Sequence, residues 1–171
     1  MRIKKRHIAL LISILFLVGF SFYAYKSENE KYDVVNEIIK DNNFYFDKIC
    51  SKSIKIDVSI DNIPEFSLID KLAINVQNLT QSTYEFKPNK LQYFDSRANK
   101  TKYTKIAPDC SIENDFLYEI SMPVLSLDKK TAIIKIVENC NCLLGGQGGT
   151  YLYKKINGKW KRIKSFNNWI S

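Results

Sequence analysis

Histidine is almost absent from this chain of 171 residues; the only one is His7. Everything after it therefore lacks a Ser-His-Asp or Cys-His arrangement, a histidine general base and a histidine metal ligand. Most hydrolase and metalloenzyme templates need one of these groups. Carboxylate chemistry, such as the paired acids of glycoside hydrolysis, survives the exclusion. Asp109, Glu113, Asp115 and Glu119 supply acids, but at no diagnostic spacing. Scattered acids are ordinarily solvated surface, so no catalytic residues, no metal and no cofactor are expected. Internal repeats and low-complexity tracts are missing too.

Acidic residues are absent from the first 25 positions, where Arg2, Lys4, Lys5 and Arg6 precede an apolar run from Ile8 to Phe20. A basic stretch followed by an apolar one is the pattern of an export signal, with the cations held on the cytoplasmic side. Gly19 and Ser21 offer a cleavage site. Phe22 to Tyr25 instead prolong the run to about the 18 residues that can span a bilayer. Both outcomes stay open: a cleaved signal, or an anchor holding the chain to the cytoplasmic membrane through residues 8–25. No cysteine stands near the end of the run, which argues against a lipid anchor. The expected location is the cell envelope, inner-membrane-anchored, periplasmic or secreted. Those four cations also account for much of the +8 net charge, leaving 22 Lys and Arg against 18 Asp and Glu. A balance of +4 gives no reason to expect a nucleic-acid partner. An unspecified protein or small ligand is the expected partner.

Cysteines number four, Cys50, Cys110, Cys140 and Cys142, all beyond the signal. In an exported chain an even number points to up to two disulfides. Pairing Cys140 with Cys142 would close a strained short ring, so each is expected to bond to Cys50 or Cys110, in either order. Four free buried thiols are the plain alternative. A four-cysteine zinc site is a weaker one, because Cys-x-Cys is not its usual spacing.

Residues 26–31 read as a polar linker and 32–171 as one domain, large enough for a core. Tyr32, Val35, Ile38 and Ile39 keep helical spacing, which Phe44, Phe46 and Ile49 extend toward Cys50. Ile54, Ile56, Val58 and Ile60 alternate with polar residues as in a half-buried strand. Pro64 opens a second helix, with Phe66, Ile69, Leu72, Ala73 and Val76 on its buried face. Residues 82–87 and 91–96 read as strands around Pro88-Asn89-Lys90, and 97–105 as an exposed basic loop. Further strands are expected over 116–122, 124–127 and 132–137. Asn157-Gly158 marks a two-residue hairpin between 150–156 and 159–166. Its register places Tyr151, Tyr153 and Trp160 on one face, with Leu152, Ile156 and Ile163 on the other.

Two stretches could serve a ligand. Glycines 145, 146, 148 and 149 could build an anion nest, although no Lys-Ser or Lys-Thr follows as in a phosphate-binding loop. A tight connection between strands is the favoured reading of this stretch. The last hairpin interleaves Tyr151, Tyr153 and Trp160 with Arg162 and several lysines, a composition suited to bases, anionic glycans or headgroups. The favoured reading is that the aromatics enter the core and the lysines guard an edge. Tyr151, Tyr153, Trp160, Arg162, Gly146 and Gly148 are the ligand-facing candidates.

Met122-Pro-Val-Leu-Ser, Thr131-Ala-Ile-Ile-Lys-Ile-Val and Thr150-Tyr-Leu-Tyr-Lys-Lys-Ile-Asn-Gly-Lys-Trp160 together resemble the C-terminal third of exported proteins of Bacteroidetes-type bacteria. The closing hairpin is also similar to the last one of nuclear-transport-factor-like and cystatin-like domains. That resemblance implies a curved antiparallel sheet wrapped on a helix, and no reaction. The expected fold is α+β: an antiparallel curved sheet of five to seven strands, with two N-terminal helices packed against it, preceded by the signal or anchor helix. The expected function is a non-enzymatic binding or structural protein of the bacterial envelope. A carboxylate-dependent glycan or peptidoglycan hydrolase and an immunity- or inhibitor-type protein are the alternatives.

Overall fold

Thr131-Ala-Ile-Ile-Lys-Ile-Val-Glu-Asn139 has apolar residues on both sides of its period-two pattern, the mark of a strand covered on both faces. The structure is a computed structural model describing residues 28–42, 44–79, 81, 84–108, 110, 117–139 and 146–170. In it this strand, β7, is the centre of a seven-stranded sheet. The elements in chain order are α1 (28–41), β1 (Lys48–Cys50), α2 (Leu68–Leu79), β2 (Gln92–Asp95) and β3 (Lys100–Tyr103). There follow β4 (Lys105–Ala107), β5 (Leu117–Ile120), β6 (Val124–Leu125), β7 (Thr131–Asn139), β8 (Gln147–Ile156) and β9 (Lys159–Ile170). The sheet runs β4-β1-β5-β7-β8-β9, with β6 beside β7 as well. β2 and β3 form a separate antiparallel pair.

Alternation along β7 sorts its side chains between two layers. Ala132, Ile134 and Ile136 face α1, where Tyr32, Val35, Ile38 and Ile39 join Ile120, Tyr153 and Trp160 in the larger core. Ile133 faces the other way and meets Val124, Leu152, Ile56, Ile60, Ile63, Phe66 and Ile74. Each buried aliphatic side chain contributes about 1.5–3 kcal/mol relative to leaving it in water. Among the described residues the fold is therefore α+β with two helices, one on each face of the sheet.

Several expectations need correcting. The sheet is mixed, not antiparallel: β1 runs parallel to both β4 and β5. The long excursion between β1 and β4 provides the crossover that parallel neighbours require. β1 itself occupies residues read as a helix tail. The first helix stops at 41, where the Asn42 N–H and side-chain Nδ2 both donate to Ile38 O, at 3.1 and 2.9 Å. At its other end α1 takes in residues 28–31, read as linker. The stretch 54–60 is not a strand. Ile56 and Ile60 do bury and Ile54 partly does, but Asn78 replaces a neighbouring strand, accepting from Ile56 N–H at 3.1 Å and donating to Ile56 O at 2.9 Å. β2 pairs with β3 and not with residues 82–87, so the expected basic loop 97–105 holds β3 and the first residue of β4. The signal or anchor helix lies outside the described residues.

The sulfur pairing differs as well. Cys50 and Cys110 are bonded to each other, because parallel β1 and β4 end side by side, Cys50 opposite Ala107. The bond closes a small cluster with Ala107 and Leu117. Cys140 and Cys142 lie outside the described residues.

Candidate functional site

The terminal hairpin forms as its turn residues dictate, with Asn157 and Gly158 both at positive φ (51° and 77°). It divides its aromatics between core and surface. Tyr153 and Trp160 are fully buried against α1. Trp160 donates from Nε1 to Glu37 Oε2 at 2.6 Å and from its backbone N–H to Asp41 Oδ2 at 2.7 Å. Lys155 joins the same Glu37 carboxylate at 2.8 Å. This is a clamp between hairpin and helix, and it leaves Trp160 no surface for a ligand. Among the described residues the Tyr153 hydroxyl has no hydrogen-bond partner, and burial pushes its phenol upward.

Tyr151 and Arg162 do stay together at the surface, the guanidinium 5.3 Å from the ring centroid. With Gly148 and Trp169 they line a shallow depression of about 310 Å³. Gly148 belongs to that arrangement for a steric reason: a Cβ there would stand 2.8 Å from Trp169 Nε1. Gly148 and Gly149 lie in β8, paired with β7, and Gly146 stands at its start. Of the described glycines only Gly158 has positive φ, so 146, 148 and 149 do not curl into a nest. β9 is an edge strand carrying exposed Lys159, Lys161, Arg162 and Lys164, charges that discourage pairing with another sheet.

Of the four acids weighed for catalysis, Glu119 accepts a hydrogen bond from the Asn139 amide. The other three lie outside the described residues. The carboxyls displaced in titration, Glu28, Asp57, Asp70, Asp95 and Asp128, are all displaced downward. For Asp57, burial pushes up, but the Lys135 ammonium at 3.0 Å and Thr150 outweigh it. A general acid needs the opposite displacement. Among the described residues no group of three His, Cys, Asp or Glu is placed to hold a metal.

A larger concavity of about 800 Å³ lies between α1 and β2. Asn36 fixes its width: Nδ2 donates to Lys90 O and Oδ1 accepts from Gln92 N–H, both at 2.9 Å. Asp95 then turns the β2–β3 hairpin, accepting from Arg97 and Ala98 N–H and from Lys102 Nζ. Aromatic rings dominate the surface so formed. Tyr45 stands edge-on to the buried Tyr93 at 5.0 Å, and Phe44 stacks at 5.2 Å on Phe46, a core residue behind the groove wall. Burial, then the neighbouring Tyr45, pushes the Tyr93 phenol upward. Phe94 is 53% exposed. Glu37, Lys40, Gln92, Ser96 and Thr101 place polar atoms around these rings. The sequence reading missed this groove; the signals were Phe44-Tyr45-Phe46 just past a helix and Tyr93-Phe94, whose rings must take opposite faces of one strand.

The second helix holds the other surprise. Ser67 and Asp70 cap it reciprocally, Asp70 N–H donating to Ser67 Oγ and Ser67 N–H to Asp70 Oδ2, both at 3.2 Å. Only Ile74 is buried. Of the face expected to enter the core, Phe66 does so from just ahead of the helix, but Ile69, Leu72 and Val76 point outward, and with Leu68 and Leu79 they are between 62% and 76% exposed.

Comparison with protein-family models, curated proteins and solved structures finds no match for this chain. Among the described residues no helix is long and apolar enough to cross a membrane, and residues 8–25 lie outside them.

Proposed function

We infer that this chain is a non-enzymatic binding protein of the bacterial cell envelope, exported or anchored by its first 25 residues, whose groove between α1 and β2 takes a ligand. The groove carries the reading: about 800 Å³, aromatic at its walls and polar at its edges. Ligand sites commonly combine an apolar surface of this size with a few placed polar groups. Exposed Phe94 and Tyr45 offer flat apolar faces, while Asn36, Gln92, Ser96 and Thr101 offer amide and hydroxyl groups. A pyranose ring has the matching chemistry, with an apolar C–H face and a hydroxyl rim, so a short glycan suits the groove. Envelope peptidoglycan supplies glycans in the expected compartment.

The test is calorimetric titration of the full chain in detergent with N,N′-diacetylchitobiose and with a muramyl disaccharide-peptide, followed by mass analysis of the recovered sugar. Binding of intact sugar by the native chain, lost in Phe94→Ala, supports the reading. Cleaved sugar would replace it with a hydrolase. Binding unaffected by Phe94→Ala, or none, would remove the groove from the account.

A further inference from the structure

The exposed face of α2 adjoins the first described turn of α1, the part of the domain nearest in sequence to residues 8–25. At 3.6 residues per turn, Leu68, Ile69, Leu72, Val76 and Leu79 fall within an arc of about 100°. Leu127 lies 60% exposed at the same surface. Ile69, Leu72, Ala73 and Val76 line a depression together with Leu125, Leu127, Glu30, Lys31 and Lys129. Glu30 and Lys31 belong to the first turn of α1 described, and Glu30 is held there by Lys129 at 2.6 Å. The apolar segment of the sequence ends at Tyr25, five residues earlier. Five residues reach at most about 18 Å, so an anchored segment would leave the bilayer within that distance of Glu30, which shares its depression with α2.

We propose that α2 rests on the bilayer, its five apolar side chains entering the interfacial zone while the exposed Lys129 ammonium stays level with the headgroups. An amphipathic helix lying in the membrane plane has this division of faces. The inward side of α2 stays attached to the domain through Ile74, through Gln77 Nε2 donating to Leu125 O, and through Asn78 bonding Ile56. Two attachments, the segment and the helix, would fix the domain's orientation and hold one side of the sheet toward the membrane. The proposal rests on the anchored form of the function inferred above.

The test places the photoreactive residue p-benzoylphenylalanine at Leu72, and separately at exposed Lys161 as control, in the full chain expressed with its own N-terminus. Membranes are isolated, irradiated and digested, and peptide masses are read. The expected result is a lipid adduct on the peptide carrying position 72 and none on that carrying 161. A crosslink from position 72 to a second copy, to residues 8–25 or to another protein would overturn the proposal, as would no adduct on a chain found in the membrane fraction. A chain missing from the membrane fraction would overturn the anchoring itself, a distinguishable failure.

Discussion

Replacing both Cys50 and Cys110 by alanine should cost this protein a large share of its stability. The two residues are 60 apart in sequence, and a cross-link closing a loop of that length stabilises by about 4 kcal/mol through the entropy it removes from the unfolded chain. The bond joins the ends of β1 and β4, the short parallel strands at the edge of the sheet. Neither strand has more than three residues, so without the bond this edge rests on few ladder hydrogen bonds. For a domain of this size such a loss corresponds to roughly 8–16 °C in Tm. Urea titration followed by circular dichroism, with and without reductant, measures it. The native chain should lose stability on reduction, and C50A/C110A should start from the lower value. The decisive comparison is C140A/C142A, which should keep the loss on reduction because the bond it depends on is still present. If C140A/C142A were indifferent to reductant, the cysteines would be paired otherwise and the reasoning would fail.

Trp160→Ala should destabilise by about 3–5 kcal/mol, as truncating a buried aromatic does; it also removes the indole donor from Glu37, and denaturant unfolding reads the loss. Tyr153→Phe should be neutral or mildly stabilising by the same assay, because it deletes a buried hydroxyl with no partner among the described residues. Asp70→Ala should cost about 1 kcal/mol through the lost cap and speed amide exchange in α2. The Asp70 carboxyl is held below its ordinary value by the Ser67 hydroxyl and then the Leu127 N–H. Its contribution is therefore complete above the unfolded-state pKa of about 4 and disappears as pH falls through the lower folded value. Exchange in α2 should rise over that acid window in the native chain, and a flat profile there would contradict the assignment.

What could be read from sequence was set by local chemistry. Asn157-Gly158 fixes its hairpin within two residues, because few dipeptides suit two successive positive φ values. Tyr151, Tyr153 and Trp160 fall on one face as the register requires, yet only burial against α1 separates the core pair from the exposed one. Ile54 to Ile60 shows how a pattern outruns its structure: alternation reports which side chains bury, and Asn78 can meet the backbone in place of a strand. Helical spacing in α2 was legible while the fate of its apolar face was not, since a period says nothing of what covers it. β1 was hidden by its three-residue length. The aromatic groove was hidden because it forms where Asn36 ties α1 to Lys90 and Gln92, 54 and 56 positions away, a pairing no local pattern reports.

The central claim, a ligand groove between α1 and β2, is tested most directly by amide chemical-shift mapping of the isotope-labelled full chain in detergent, titrated with N,N′-diacetylchitobiose. The account expects saturable shifts confined to residues 36–45 and 92–101. Shifts centred on Tyr151, Arg162 and Trp169, or none up to the solubility limit of the sugar, would contradict it.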